Sequence, residues 1–211
     1  MTETVEYRQA RAEDLLGIGE VFLSAFPESV RHYIGHPIPT AVFADIFAIC
    51  LDAEPAALCV ACRGPRVAGY SFAPAEFSGL VRTAISHGHL WRIAVRWLRG
   101  KYGFGIHPVF IAAHNWVSLL RDAREEQFAS EARIFSIAVH ADYQGYGIGT
   151  GLLRMGLDYL ASRHVPRVRL EVRPQNAPAV HLYEKFGFVT VGRTHDTQGE
   201  WLIMLKKMDG G

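Results

Sequence analysis

Polar and apolar positions alternate over residues 5–10, which predicts a first strand at the edge of a sheet. Over residues 14–26 the apolar positions are Leu15, Ile18, Val21, Phe22 and Ala25, a helical stripe that Pro27 ends. The run from His36 to Thr40, with Pro37 and Pro39, is a break, and Thr40 is placed to cap a second helix through Leu51. Residues 56–63 and 67–73 read as two strands joined at Gly64 and Pro65, a hairpin. Residues 134–139 form an apolar strand. A loop with Gly145, Gly147 and Gly149 follows and opens into an amphipathic helix that reaches residue 163. In residues 167–172 Val168, Leu170 and Val172 point one way, and Arg169 and Glu171 the other. Pro174 breaks that strand. Asn176 is positioned to cap a helix over 177–186 with Gly187 as its stop, and residues 188–193 and 201–206 are two last strands. This order, βααββ, an insert, then βαβαββ, predicts a mixed α/β fold in a single domain over residues 1–208.

Residues 76–130 form the insert within that domain. Between 80 and 98 one face carries Val81, Ala84, Ile85, Trp91, Ala94, Val95 and Leu98, and another carries Arg92, Arg96 and Arg99. The pattern predicts a basic amphipathic helix interrupted near Gly88, and a further helix is expected over 107–126. About 50 residues without a role are uncommon inside a domain. A helical wall over a substrate site, a homodimer or partner surface, and a membrane-surface helix all fit the pattern.

Composition narrows the functional classes. The chain has 211 residues, is 49% hydrophobic and carries a formal charge of +1. That is enough apolar material for a large core, and it leaves no global field to gather nucleic acid or a membrane. No apolar run is long enough to cross a bilayer. The first residues carry acids rather than a signal-like apolar segment, so a cytoplasmic location is expected. Cys50, Cys59 and Cys62 have no disulfide-framework spacing, and Cys59 and Cys62 fall on opposite faces of one strand, so buried reduced thiols are expected. No histidine pair has metal-ligand spacing beside other ligands, so no metal is expected; His140 follows the strand 134–139, where it could line the acceptor side of a site, His181 sits on the helix of Tyr183, and a structural role fits either.

The chemistry concentrates at the glycine loop. Glycines between a strand and a helix let consecutive N–H groups converge, and the helix start adds free N–H groups and a positive dipole end. The result is a cradle for a phosphate or pyrophosphate. The spacing fits neither a Walker A loop, which needs a following lysine, nor a dinucleotide fingerprint, which needs GxGxxG in a first βαβ unit.

Here the residues become recognisable. Gln144-Gly-Tyr-Gly-Ile-Gly149 is similar to the (Arg/Gln)-x-x-Gly-x-(Gly/Ala) loop of the GNAT superfamily of N-acetyltransferases. Ile137-Ala-Val139 resembles its central strand, and Leu170-Glu-Val-Arg173, Asn176 and Leu182-Tyr-Glu-Lys-Phe-Gly-Phe188 resemble its second motif. The wording is nearest to the branch that acetylates the N-terminal alanine of a ribosomal protein. The likeness is strong over 130–207, loose over 1–75 and absent over 76–130.

The resemblance implies the GNAT fold with a helical insert between its third and fourth strands. Two neighbouring strands, 134–139 and 168–172, would split apart to admit acetyl-CoA as co-substrate. Its pyrophosphate would rest on the N–H groups of Gly145, Tyr146, Gly147, Ile148, Gly149 and Thr150, beside Gln144. Its pantetheine would pair with the strand Ile137, Ala138, Val139 and meet Asn176. Tyr183 matches the family's general acid, and Glu171 stands where the N-terminal branch places its base. Asn176 reads equally as a plain helix cap, Tyr183 as a seam-filling aromatic, and Glu171 as a strand carboxylate paired with a neighbouring arginine. The implied reaction is direct attack of a primary amine, on a peptide N-terminus or a small molecule, without a covalent enzyme intermediate. The alternative is a non-catalytic acyl-CoA-binding sensor on the same fold.

Overall fold

In this computed structural model residues 4–34, 38–102 and 132–208 are described. Two four-stranded sheets carry the chain. In the first, β1 (Val5–Gln9), β2 (Leu58–Arg63), β3 (Arg66–Phe72) and β5 (Ser136–Val139) lie side by side, each antiparallel to the next. In the second the order is β4 (Ala132–Arg133), β6 (Arg167–Val172), β8 (Gly199–Lys207) and β7 (Val189–Asp196). There β4 runs parallel to β6 and the other pairs are antiparallel. The hairpin at Gly64 and the edge character of the first strand are as expected, and Gly64 takes a φ of 57°.

The single strand expected over 134–139 is replaced by two short ones. Residues 132–133 pair with β6, Ile134 donates to the Arg169 carbonyl at 2.9 Å, and Phe135 then donates to the Phe72 carbonyl at 2.9 Å. The chain thus changes sheets at residues 134–135. This hand-over parts the sheets and opens a cleft between β5 and β6.

Helices cover both sheets. α1 (Leu15–Ala25) and α3 (Thr40–Ala53) bury Ile18, Val21, Phe43 and Phe47 against Leu58, Val60, Tyr70 and Phe72. A Cβ on Gly19 would come within 2.9 Å of Thr40, so glycine permits the two helices to touch. Thr40 is the first helical residue of α3 rather than its cap, the cap position being Pro39. Pro27 both ends α1 and begins α2 (Pro27–Ile34), a helix the apolar pattern did not predict. α6 (Ile148–Ser162) buries Ile148, Leu152, Leu153, Leu157 and Leu160 along the sheets. α7 (Ala177–Lys185) ends at Gly187, whose φ is 85°. Asn176 caps it by accepting from the Ala179 N–H at 3.3 Å.

The described part of the insert is α4 (Phe77–Ser86) and α5 (His89–Leu98), broken at left-handed Gly88. The expected apolar stripe divides: Ala84 is buried and Ala94 and Val95 are half-buried, whereas Ile85, Trp91 and Leu98 are exposed. Arg96, itself exposed, pairs with Asp45 of α3, Arg92 meets His89, and His89 in turn meets Asp52 of α3. The helix expected over 107–126 lies outside the described residues. All three cysteines are free and buried, and burial pushes Cys50 up to about 12 and Cys59 up to about 11, as inert thiols require.

Candidate active site

The glycine loop sits where β5 meets α6. Gly145 and Gly147 take φ values of 82° and 75°, a region that side chains disfavour, and Gly147 is the residue before the first turn of α6. The first N–H groups of α6, those of Ile148 and Gly149, precede its hydrogen-bond ladder and line the cleft with the positive end of the dipole, whereas the Thr150 N–H is already bonded to the Gly147 carbonyl at 3.0 Å. Gln144 donates from its side chain to the Val139 carbonyl at 3.2 Å, which ties the loop back to the strand.

β5 presents one edge to β3. The His140 N–H bonds to Ala68, and the pairing continues through Ala138 with Tyr70 and Ser136 with Phe72. Antiparallel alternation then turns the backbone groups of Ile137 and Val139 to the opposite edge, toward the cleft.

Two cavities share that cleft. The first, of about 500 Å³, is lined by the loop and β5 on one side and by α7 on the other. Of the residues expected to hold the cofactor, Ile137, Ala138, Val139, Gln144, Gly145, Gly147, Ile148, Gly149, Thr150 and Asn176 all line it. Tyr146 does not: its ring is 70% exposed and lies 5.8 Å from the Arg63 guanidinium. Lys185 lines this cavity as well. Sequence reasoning did not single it out, although it belongs to the quoted Leu-Tyr-Glu-Lys run and lies two residues past Tyr183. His181 also lines it, whereas His140 caps a short turn by accepting from the Asp142 N–H.

The second cavity, of about 760 Å³, continues past Tyr183. Its walls come from the α1–α2 corner, β4–β5, β6 and the β7–β8 turn. α2 bridges to that turn. The Tyr33 hydroxyl donates to Asp196 at 2.6 Å, the Ser29 hydroxyl donates to Gln198 at 3.0 Å, and His32 meets Thr197 at 3.2 Å. Asp196 also accepts from the Trp201 indole at 2.7 Å and from Arg173. Burial pushes its carboxyl up, but these donors outweigh burial and hold it below the usual carboxylate range. The Arg173 guanidinium lies flat over Trp201, 3.8 Å from the ring centre. The insert as described contributes no residue to either cavity, so a roof from α4 or α5 is not what covers this site.

Tyr183 lines both cavities and is 6% exposed. Its ring packs edge-on to Phe188, and burial pushes the phenol up to about 12. Glu171 lines the larger cavity, with one oxygen 2.7 Å from Arg169 and 3.7 Å from Arg133. The ion-pair reading of Glu171 and its place on the cavity wall therefore hold together. A carboxyl group paired with arginines, a buried phenol and a strand edge thus converge on one cleft, an arrangement suited to acyl transfer.

Comparison with known proteins agrees with that chemistry. Residues 110–188 match the model of the acetyltransferase (GNAT) family. The chain is 50% identical over 58 residues to the [ribosomal protein bS18]-alanine N-acetyltransferase of Escherichia coli K12, covering 28% of this chain and 39% of that protein. It is 36% identical over 86 residues to the mycothiol acetyltransferase of Corynebacterium kroppenstedtii, covering 41% of this chain and 24% of that one. The chain therefore matches well under half the length of either relative. In structure it is similar to a putative acetyltransferase of Salmonella typhimurium solved with its cofactor acetyl-CoA, with a TM-score of 0.60, 17% identity and coverage of 98% and 95% of the two chains. That likeness establishes the GNAT fold.

Proposed function

We propose that the chain is an acetyl-CoA-dependent N-acetyltransferase acting on a primary amine, a reading supported by the match of residues 110–188 to the acetyltransferase (GNAT) family model. The observation that carries this reading is Tyr183, which stands at the junction of a cofactor-sized cleft and a second cavity. Acetyl-CoA lies along β5, with its pyrophosphate on the loop 145–150 and Lys185 near by. The N–H groups of Ile137 and Val139 are free to pair with the pantetheine and to steady an oxyanion.

The amine enters from the larger cavity as the neutral base. Its lone pair forms the C–N bond as the thioester carbonyl becomes tetrahedral. Collapse of that intermediate breaks the C–S bond and expels the CoA thiolate. The nitrogen loses its extra proton toward Glu171, directly or through water. Tyr183 hydrogen-bonds the departing sulfur. A phenol near 12 is a weaker acid than a thiol near about 8.5, so hydrogen-bond donation outweighs full proton release in its contribution. Burial also keeps the phenol protonated across the neutral range.

The acceptor is a small amine or a chain end inserted end-on, because α2 and the β7–β8 turn bridge over the cavity. Glu28, Glu171, Glu200 and Arg173 line it, but Glu171 is already paired with Arg169, Glu200 with Arg193 and Arg173 with Asp196, so the lining by itself sets no strong charge preference for the acceptor. The test is thiol release from acetyl-CoA over a panel of N-terminal peptides and small amines. Turnover of at least one acceptor is expected. Acetyl-CoA binding without turnover of any amine would sink the enzyme reading. The acyl-CoA sensor would then stand, a reading that the double pairing of Glu171 with arginines favours.

A further inference from the structure

Far from the cleft, the corner between α4 and α5 meets the last turn of α3. Among the described residues, Asp52, His87 and His89 form a group in which one ligand atom from each lies within 4.8 Å of the others. We infer that these three side chains form a binding site for a divalent transition-metal cation of the zinc class, which staples the insert to α3.

Sequence spacing hid this site. His87 and His89 flank Gly88, and the left-handed backbone there, with φ of 68°, turns both imidazoles toward α3. Asp52 lies 35 and 37 positions earlier. His89 is 2% exposed and its Nε2 stands 2.8 Å from an Asp52 oxygen, while His87 and the Asp52 carboxylate are open to solvent. One ligand is thus held at the base and two at the rim, where a cation enters. Two donors on one tetrahedral zinc ion, with bonds of about 2.0–2.2 Å, stand roughly 3.3–3.6 Å apart, so the His89–Asp52 pair, at 2.8 Å, opens only slightly to admit the ion. The remaining closure, of at most about 1.5 Å, falls on the two solvent-facing side chains, which rotate at little cost. Two imidazole nitrogens and one carboxylate suit zinc, cobalt or nickel rather than magnesium or calcium, which take oxygen shells.

Arg92 sets the competition. Its guanidinium meets His89 Nδ1 and can only donate, so His89 carries its proton on Nε2 and donates it to Asp52. A cation on Nε2 displaces that proton, and Nδ1 then takes up a proton in place of the arginine contact. Arg92 therefore works against the metal, both as a competing donor and as a nearby positive charge.

The test uses the full chain, stripped with a chelator and dialysed, and titrated calorimetrically with zinc chloride. One ion per chain is expected. His87→Ala and Asp52→Asn, both changes at solvent-facing side chains, are each expected to weaken binding at least about tenfold, while Arg92→Gln tightens it several-fold. A cobalt titration should give a visible absorption band that His87→Ala abolishes. His195→Ala, at an exposed histidine of β7, serves as the control and should leave binding unchanged. No binding at micromolar zinc, or binding that survives both His87→Ala and Asp52→Asn, would overturn the site.

Discussion

In the proposed reaction Tyr183 and Gly147 govern different steps, and single substitutions separate them. Tyr183→Phe keeps the ring that packs on Phe188 and removes only the hydroxyl. The expected result is a fall in kcat of at least about tenfold with acetyl-CoA affinity little changed, read from steady-state kinetics beside a direct binding titration. An unchanged kcat would remove Tyr183 from the chemistry. Gly147→Asp attacks the cradle instead. No neighbouring atom lies within 4 Å of a Cβ there, so the damage is not a clash. It comes from a φ of 75°, which a side chain adopts only with strain, and from a carboxylate set where the pyrophosphate would rest. Loss of measurable acetyl-CoA binding with a folded circular-dichroism spectrum is expected.

At the scale of elements, the bridge between α2 and the β7–β8 turn is expected to control access to the larger cavity, the one proposed for the acceptor. Asp196 is its hub, taking Tyr33 from α2, Trp201 from β8, Arg173 from the end of β6 and the Gln198 N–H of its own turn. Asp196→Ala leaves several donors without an acceptor, at a cost of about 1–2 kcal/mol in stability, reduced by partial exposure. The acceptor KM is expected to rise several-fold while the acetyl-CoA KM holds, because the cofactor wall on α6 and α7 is untouched. Equal changes in both would show that the bridge does not control the acceptor side. The insert illustrates the same scale differently. Its amphipathic pattern was legible, but the pairing of Arg96 with Asp45 and of His89 with Asp52, 51 and 37 positions apart, was not.

At the scale of the molecule, the titrating groups set how stability varies with pH. Tyr183 rises to about 12 from an ordinary 10.0, mainly through burial, and Tyr159 to about 12 through burial and its bond to Glu54. Cys50 and Cys59 are raised from 9.0 to about 12 and about 11. Each group holds its proton more tightly when folded than when unfolded. The stability they contribute is therefore complete below about pH 9 and is lost as pH climbs toward 12. Tyr183 alone accounts for about 2–3 kcal/mol of that loss. Asp14 runs the other way. Burial pushes its carboxyl up, but the Arg8 guanidinium at 2.6 and 2.8 Å and the Arg11 N–H outweigh it, and the carboxyl lies below its usual 3.8. Its contribution is present above about pH 4 and fades as pH falls further. Chemical denaturation across pH should thus show a plateau at neutral pH and a steep alkaline decline; a flat profile from pH 9 to 12 would refute the assignment.

What the sequence by itself determined was local. The strand–glycine–helix junction, the Asn176 cap, the hairpin at Gly64 and the stop at Gly187 all rest on backbone preferences of a few adjacent residues, and each appears in the structure. The loop residues were legible for the same reason, since a phosphate cradle needs glycines at fixed spacing, whereas Tyr183 was legible through the resemblance of the Leu182–Phe188 run to a family motif. Tertiary structure decided whatever depends on partners distant along the chain. It shortened the strand expected over 134–139 to 136–139, paired with β3, and set residues 132–133 on β6. It built the larger cavity, proposed for the acceptor, from α2 and the β7–β8 turn, joined by Tyr33 and Asp196 across 163 positions. It paired Arg96 of the insert with Asp45 and drew His87 and His89 onto Asp52. Periodicity records which side of an element is apolar; it does not record what that element meets, and charge pairing across the fold settled both the insert and the acceptor bridge.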